Sequence, residues 1–240
     1  MKSINLICLP FAGGNRYSYR DYELKCPPFI KLIPVESPGR GVRIREPLMY
    51  SMSVIVEDMY RQIKDIVDLQ PYAIYGHSMG GLGAYLLTQK LLERGHMAPI
   101  TLFITGTTGP SAISRQGKKR HLLSKKEFIE EIIALDGMPE EILKNEEMIE
   151  YFEPILRADF TATETYVHRE SLPFDLPVTV ITGDEEDMKD EDILRWQNVT
   201  IREIDFRKMS GKHFFIFKHP EAIIDIISDK LTTHSKIFQR

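Results

Sequence analysis

Cysteine is scarce in this chain, with two in 240 residues, Cys8 and Cys26. Two isolated thiols build no disulfide framework, and neither sits in a redox-pair or metal-knot spacing. A reducing, cytoplasmic setting is therefore expected. Long apolar runs are lacking as well. The start, MKSINLICLPFAGG, has one lysine, is interrupted by Asn5 and ends at Pro10, which reads as a first strand rather than a signal peptide. No other stretch is long and apolar enough for a membrane span. Nor is there an excess of charge of one sign. The 31 basic and 35 acidic side chains leave a net −4, which gives no general attraction for nucleic acid or an anionic bilayer. The glycine signatures GxGxxG and GxxxxGK[ST] are absent, and no spacing matches a zinc or calcium site, so neither cofactor nor metal is expected.

What is present suits a single α/β domain over 1–240, because 240 residues at 42% hydrophobic content can bury one substantial core. Short apolar runs at Ile4–Leu9, Lys31–Val35, Tyr72–Tyr75, Ile100–Thr105, Val178–Thr182 and Thr200–Ile204 read as strands. Helical patterns separate many of them. In Val54–Val67, residues Ile55, Met59, Ile63 and Ile66 recur at three or four positions; Gly81–Leu92 is similar, and Pro220 opens a terminal helix. Strands of four to six residues alternating with helices predict a largely parallel sheet covered on both faces.

The stretch 109–172 breaks the alternation. It is charge-rich, has no strand pattern, and carries helical stripes over Ser124–Leu135, from Pro139 to about Phe152, and from Ile155 to about Val167. Such a length is too great for a simple loop. It is expected to be a helical lid inserted over the carboxyl edge of the sheet, where open α/β sheets bind ligands. Phe128, Met138, Phe152, Ile155 and Phe160 are candidates to line a chamber beneath it. Arg157 and Asp159 are expected to pair locally, and Arg115, Lys118, Lys119 and Arg120 form a basic cluster able to steer an acidic partner.

The most informative segment is Gly76-His77-Ser78-Met79-Gly80, between an apolar strand and a helical pattern. Glycines two positions either side of a serine permit a sharp strand-to-helix turn that lifts the hydroxyl clear of the sheet. A serine hydroxyl is a weak nucleophile at neutral pH and needs a general base. His213 follows the last strand-like run, in the order serine, acid, histidine that such a turn implies; His219 fits a capping position better, and His77 is too close to Ser78 in the turn. The run Gly183-Asp-Glu-Glu-Asp187 ends a strand in four carboxylates. Asp187 is the chosen acid, with Asp184 and Glu186 as alternatives. Met79 N–H, just after the nucleophile, is one oxyanion donor. Pro10-Phe11-Ala12-Gly13-Gly14 supplies the other, through Phe11 or Ala12.

These pieces carry a family resemblance across nearly the whole chain. Pro10-Phe-Ala-Gly-Gly14, Pro38-Gly-Arg-Gly41, Gly76-His-Ser-Met-Gly-Gly81, Leu156-Arg-Ala-Asp-Phe160 with Glu164 and Tyr166, and Gly211-Lys-His-Phe-Phe215 together resemble the type II thioesterases of nonribosomal peptide and polyketide synthesis. The resemblance implies an α/β-hydrolase fold and a triad formed by Ser78, an acid and His213. In that family the acid lies three residues after the glycine, a place held here by Glu186, with Asp187 one residue on. Leu135-Asp-Gly137-Met-Pro139 also departs, with Asp136 where a second glycine is usual. The implied activity is hydrolysis of acyl groups from the phosphopantetheine arm of acyl or peptidyl carrier domains, clearing blocked synthases, by a cytoplasmic and mainly monomeric enzyme. A small-molecule carboxylesterase, an acyltransferase using the same residues, and a non-catalytic binding protein are the competing readings.

Overall fold

The computed structural model describes residues 3–135 and 144–237. Six strands, β1 (Ile4–Leu9), β2 (Ile30–Pro34), β3 (Tyr72–His77), β4 (Leu102–Thr105), β5 (Val178–Gly183) and β6 (Asp205–Met209), form one sheet in the order β2-β1-β3-β4-β5-β6. Every neighbouring pair is parallel. Strand residues point alternately to opposite faces, and the two cores follow from that rule. Ile7 and Leu9 of β1, with Tyr72 and Ile74 of β3, enter a core completed by α2 (Met52–Ile63) and α3 (Met79–Glu93). Ile4, Leu6 and Cys8, with Ala73 and Tyr75, enter a second core against α1 (Arg20–Lys25) and the terminal helix, which begins at Pro220. Apolar side chains on both faces explain why the central strands read as continuous hydrophobic runs.

The expected strand at Thr200–Ile204 is one element early. Thr200 forms a single bridge to Phe174, and the sixth strand starts at Asp205. β6 is an edge strand whose residues are half-buried or exposed, so its polar sequence Asp-Phe-Arg-Lys-Met lacks the pattern that marks the inner strands.

Between β4 and β5 the chain makes the expected helical insertion. α4 (Lys125–Ala134) begins at Ser124, whose hydroxyl accepts from Glu127 N–H while the Glu127 carboxylate accepts from Ser124 N–H. The two patterns read on either side of Pro154 are, from Glu146 onward, one helix, α5 (Glu146–Glu164), capped by Asn145. Proline removes a helical donor and disfavours helix at the residue before it. Packing outweighs that cost, because Leu156 and Phe160 on α5 meet Phe128 and Ile132 on α4 in a cluster of their own. The part of the second pattern at Pro139 lies outside the described residues. Among the described residues the remaining α-helices are α6 (Asp190–Ile193), α7 (Phe215–Lys218) and α8 (Pro220–Ile237).

Candidate active site

Ser78 lies between the end of β3 and the start of α3 with φ 54° and ψ −114°. It is the one non-glycine residue with positive φ among those described. Such a backbone costs on the order of 1–3 kcal/mol and persists only where its surroundings enforce it. Here Ser78 N–H donates to Thr105 O at 2.8 Å, and the flanking glycines let the turn close. A Cβ at Gly76 would lie 2.1 Å from Gly80 O, and one at Gly80 would lie 2.5 Å from Leu9 O. Both obstacles are backbone atoms, so larger residues at these positions are incompatible with the turn.

His213 reaches the serine from the loop after β6, with Nε2 3.1 Å from Ser78 Oγ. Its Nδ1 lies 2.6 Å from Glu186 Oε1. The structure therefore places Glu186, and not the expected Asp187, at the imidazole. The reason is the turn after β5: Gly183 N–H donates to Glu186 Oε2 at 2.7 Å, closing the turn without an extra residue and turning the longer glutamate side chain inward. Asp187 is left exposed, and Lys118 feels its charge. Asp184 supports the histidine loop instead, accepting Gly211 N–H at 2.9 Å. His219 is remote from this relay, its Nε2 lying beside Ser210.

Beneath His213 sits His77, fully buried, with ring centroids 4.8 Å apart. Its Nδ1 lies 3.0 Å from the Thr105 hydroxyl. Burial, and behind it the neighbouring His213, hold His77 well below the ordinary imidazole range, so it is neutral and packs as an aromatic ring.

Phe11, Ala12 and Met79 line the same cavity as Ser78 and His213. No backbone hydrogen bond engages the N–H of any of the three among the described residues.

The cavity, of about 900 Å³, is open to solvent and lies between the sheet edge and the insertion. Of the apolar residues expected to line it, Phe160 does so. Phe128 and Ile155 are buried in packing, Phe152 leans on the insertion's cluster, and Met138 lies outside the described residues. Much of the wall is polar instead. Arg115 donates to Gly109 O, Thr107 Oγ1 and Thr108 O, and burial holds it down at about 10. Arg120 donates to Glu164 Oε1 at 2.7 Å, and His121 meets Glu164 Oε2. Burial works against the Glu164 charge, but hydrogen bonds from Arg120 and then His121 outweigh it and keep the carboxyl below its usual range. The basic cluster is thus divided: Arg115 and Arg120 are spent on internal partners, while Lys118 and Lys119 are exposed.

The expected local pairing of Arg157 with Asp159 does not occur. Arg157 pairs with Glu153, one turn earlier, and donates to His121 O and Leu123 O. Asp159 pairs with Arg40, 119 positions away in sequence. Nothing in the spacing of the two segments that contain these residues joins them.

Among the described residues, no cluster of three or more His, Cys, Asp or Glu is arranged to hold a metal. No helix among them is long and apolar enough to cross a membrane.

Comparison with known proteins bears on this geometry. Residues 4–231 match the family described as the thioesterase domain. The gramicidin S biosynthesis protein GrsT of Aneurinibacillus migulanus is 29% identical over 229 residues, covering 95% of this chain and 89% of that one. The structure of ClbQ from the colibactin NRPS/PKS pathway superposes with a TM-score of 0.91 at 32% identity, covering 98% of this chain and all of that one. The type II thioesterase BorB from the borrelidin biosynthetic cluster gives 0.87 at 30%, covering 95% and 93%.

Proposed function

The chain belongs to the thioesterase family, and within it to the type II enzymes; from that premise we propose that Ser78, His213 and Glu186 hydrolyse acyl thioesters held on the phosphopantetheine arm of carrier domains, freeing blocked peptide or polyketide synthases. The observation that carries the reading is the continuous relay from Ser78 Oγ through both nitrogens of His213 to Glu186, opening into the cavity.

In the acylation half, Ser78 Oγ attacks the thioester carbonyl as its proton passes to His213 Nε2. Glu186 accepts from Nδ1–H, fixing the tautomer and stabilising the imidazolium that forms. The carbonyl oxygen becomes an oxyanion held by Met79 N–H and an N–H from Phe11 or Ala12. Collapse breaks the C–S bond, the departing thiolate takes the proton from His213, and an acyl-serine remains. Water then attacks the ester carbonyl, giving its proton to His213. The second tetrahedral intermediate expels Ser78, which recovers that proton, and a free acid leaves. Thiolates depart more readily than alkoxides, so oxyanion stabilisation dominates the first half.

The long, thin pantetheine arm suits a cavity covered by helices, and this supports a lid role for the insertion. The exposed Lys118 and Lys119 sit near the cavity and suit an acidic carrier surface. Free thiols at Cys8 and Cys26 suit a cytoplasmic enzyme. The test is mass spectrometry of carrier domains loaded with varied acyl groups, before and after adding enzyme. Release of free acid and bare pantetheine supports the reading. Acyl transfer to an added alcohol or amine in preference to water, or better efficiency on simple esters than on loaded carriers, overturns it.

A further inference from the structure

Asp159 is 1% exposed in the middle of α5, and Arg40 is 4% exposed between β2 and α2. Their side chains meet as a fork, Arg40 donating to Asp159 Oδ2 at 2.6 Å and to Oδ1 at 2.9 Å. Both also grip the loop after β1. Asp159 Oδ2 accepts Gly13 N–H at 2.8 Å, and Arg40 donates to Gly14 O at 3.3 Å. The helix lies directly on that loop: Gly13 has φ +77°, and a Cβ there would come within 2.6 Å of Leu156 Cδ2.

Phe11 and Ala12 immediately precede this clamped point. We infer that the Asp159–Arg40 pair is a positioning device for the oxyanion hole, by which the helical insertion holds the Phe11–Ala12 amides toward Ser78. The inference rests on the reaction proposed above, with Ser78 as nucleophile.

A fully buried ion pair is a poor source of stability, because desolvating both charges offsets their attraction, whereas a bidentate fork fixes direction closely. Asp159 also takes up the Gly13 N–H, which orients the peptide next to Ala12 and leaves the preceding amides free. Finally, an uncompensated carboxylate on the loop that carries Phe11 and Ala12 would oppose a developing oxyanion, and Arg40 cancels that charge. The insertion is on this account part of the catalytic apparatus, and not solely a cover.

The test uses p-nitrophenyl acetate, so that its outcome is independent of whether carrier domains are the substrate; Ser78→Ala supplies the background. Asp159→Ala is expected to lower kcat about 10²-fold with KM changed less than about threefold, the signature of a misplaced donor. Asp159→Asn keeps an acceptor for Gly13 N–H and is expected to recover kcat to within about tenfold of the parent. Arg40→Lys keeps the charge but loses the fork, and is expected to lower kcat about tenfold at unchanged KM. It serves as the test should Asp159→Ala not fold. Affinity for an arylboronic acid, which mimics the tetrahedral oxyanion on Ser78, should fall in step with kcat. Variants that lose thermal stability but keep kcat and boronate affinity per folded molecule would reduce the pair to a structural role and overturn the inference.

Discussion

Glu186 is held at both oxygens. Oε2 accepts the backbone N–H of Gly183 at 2.7 Å, and Oε1 meets His213 Nδ1 at 2.6 Å. The carboxylate is 4% exposed. One bond fixes the side chain to the end of the sheet and the other passes that rigidity to the imidazole, so His213 is aimed at Ser78 by the strand β5 itself. Asp187, the next residue, has neither contact.

Substitution at the two acids should therefore separate them sharply. Glu186→Gln retains the shape but not the charge or the tautomer control, and kcat should fall on the order of 10³–10⁴-fold. Asp187→Asn should stay within about threefold of the parent. Steady-state kinetics on one activated ester suffices; equal losses at both positions would remove Glu186 from the relay.

Ser78→Ala should reduce turnover to the level that binding and oxyanion donors sustain without a nucleophile, a loss of roughly 10⁴-fold or more. The strained φ of 54° is no easier for alanine, so thermal stability should be unchanged or slightly lower. Labelling by an active-site phosphonate, followed by intact mass, should vanish in this variant. Persistent labelling would point to another nucleophile.

His77 makes stability depend on pH. In the fold, burial and then His213 hold its pKa well below the ordinary value of about 6.5 that it regains on unfolding. Between those two values the unfolded chain binds one more proton. Stability is thus intact above about 6.5 and falls as the pH drops below it, with a slope approaching ~1.4 kcal/mol per pH unit until the folded value is reached. His77→Gln should flatten that slope in urea titrations at pH 7.5, 6.5 and 5.5. An identical slope in parent and variant would assign the acid sensitivity to another group.

Phe128 is completely buried between α4 and α5, its ring 5.5 Å from that of Phe160 and covered by the Arg157 guanidinium at 4.4 Å. Phe128→Ala should cost about 3–5 kcal/mol by leaving a cavity. The cluster belongs to the insertion and not to the cores of the sheet. Amide exchange should accordingly accelerate more in α4 and α5 than in β3 or α3. Uniform acceleration across all four would show that the insertion unfolds together with the sheet.

Much of this molecule is written in local patterns. The continuous apolar runs of β1 and β3 and the glycines around Ser78 depend on residues a few positions apart, and each was legible in the chain. The serine and the late histidine were legible as well, since strand order alone carries them to one edge of a parallel sheet. Other features were settled only when distant segments met. Four carboxylates follow Gly183 within four positions, and the contacts of Glu186 with Gly183 N–H and His213 singled it out among them. The polar edge strand β6 has no apolar signature because one of its sides is open, and α5 runs through Pro154 because Leu156 and Phe160 find partners on α4. The fork between Arg40 and Asp159 spans 119 positions, and sequence spacing holds no information about which buried charges will face each other: that is decided by packing, where a charge left without its partner is too costly to keep.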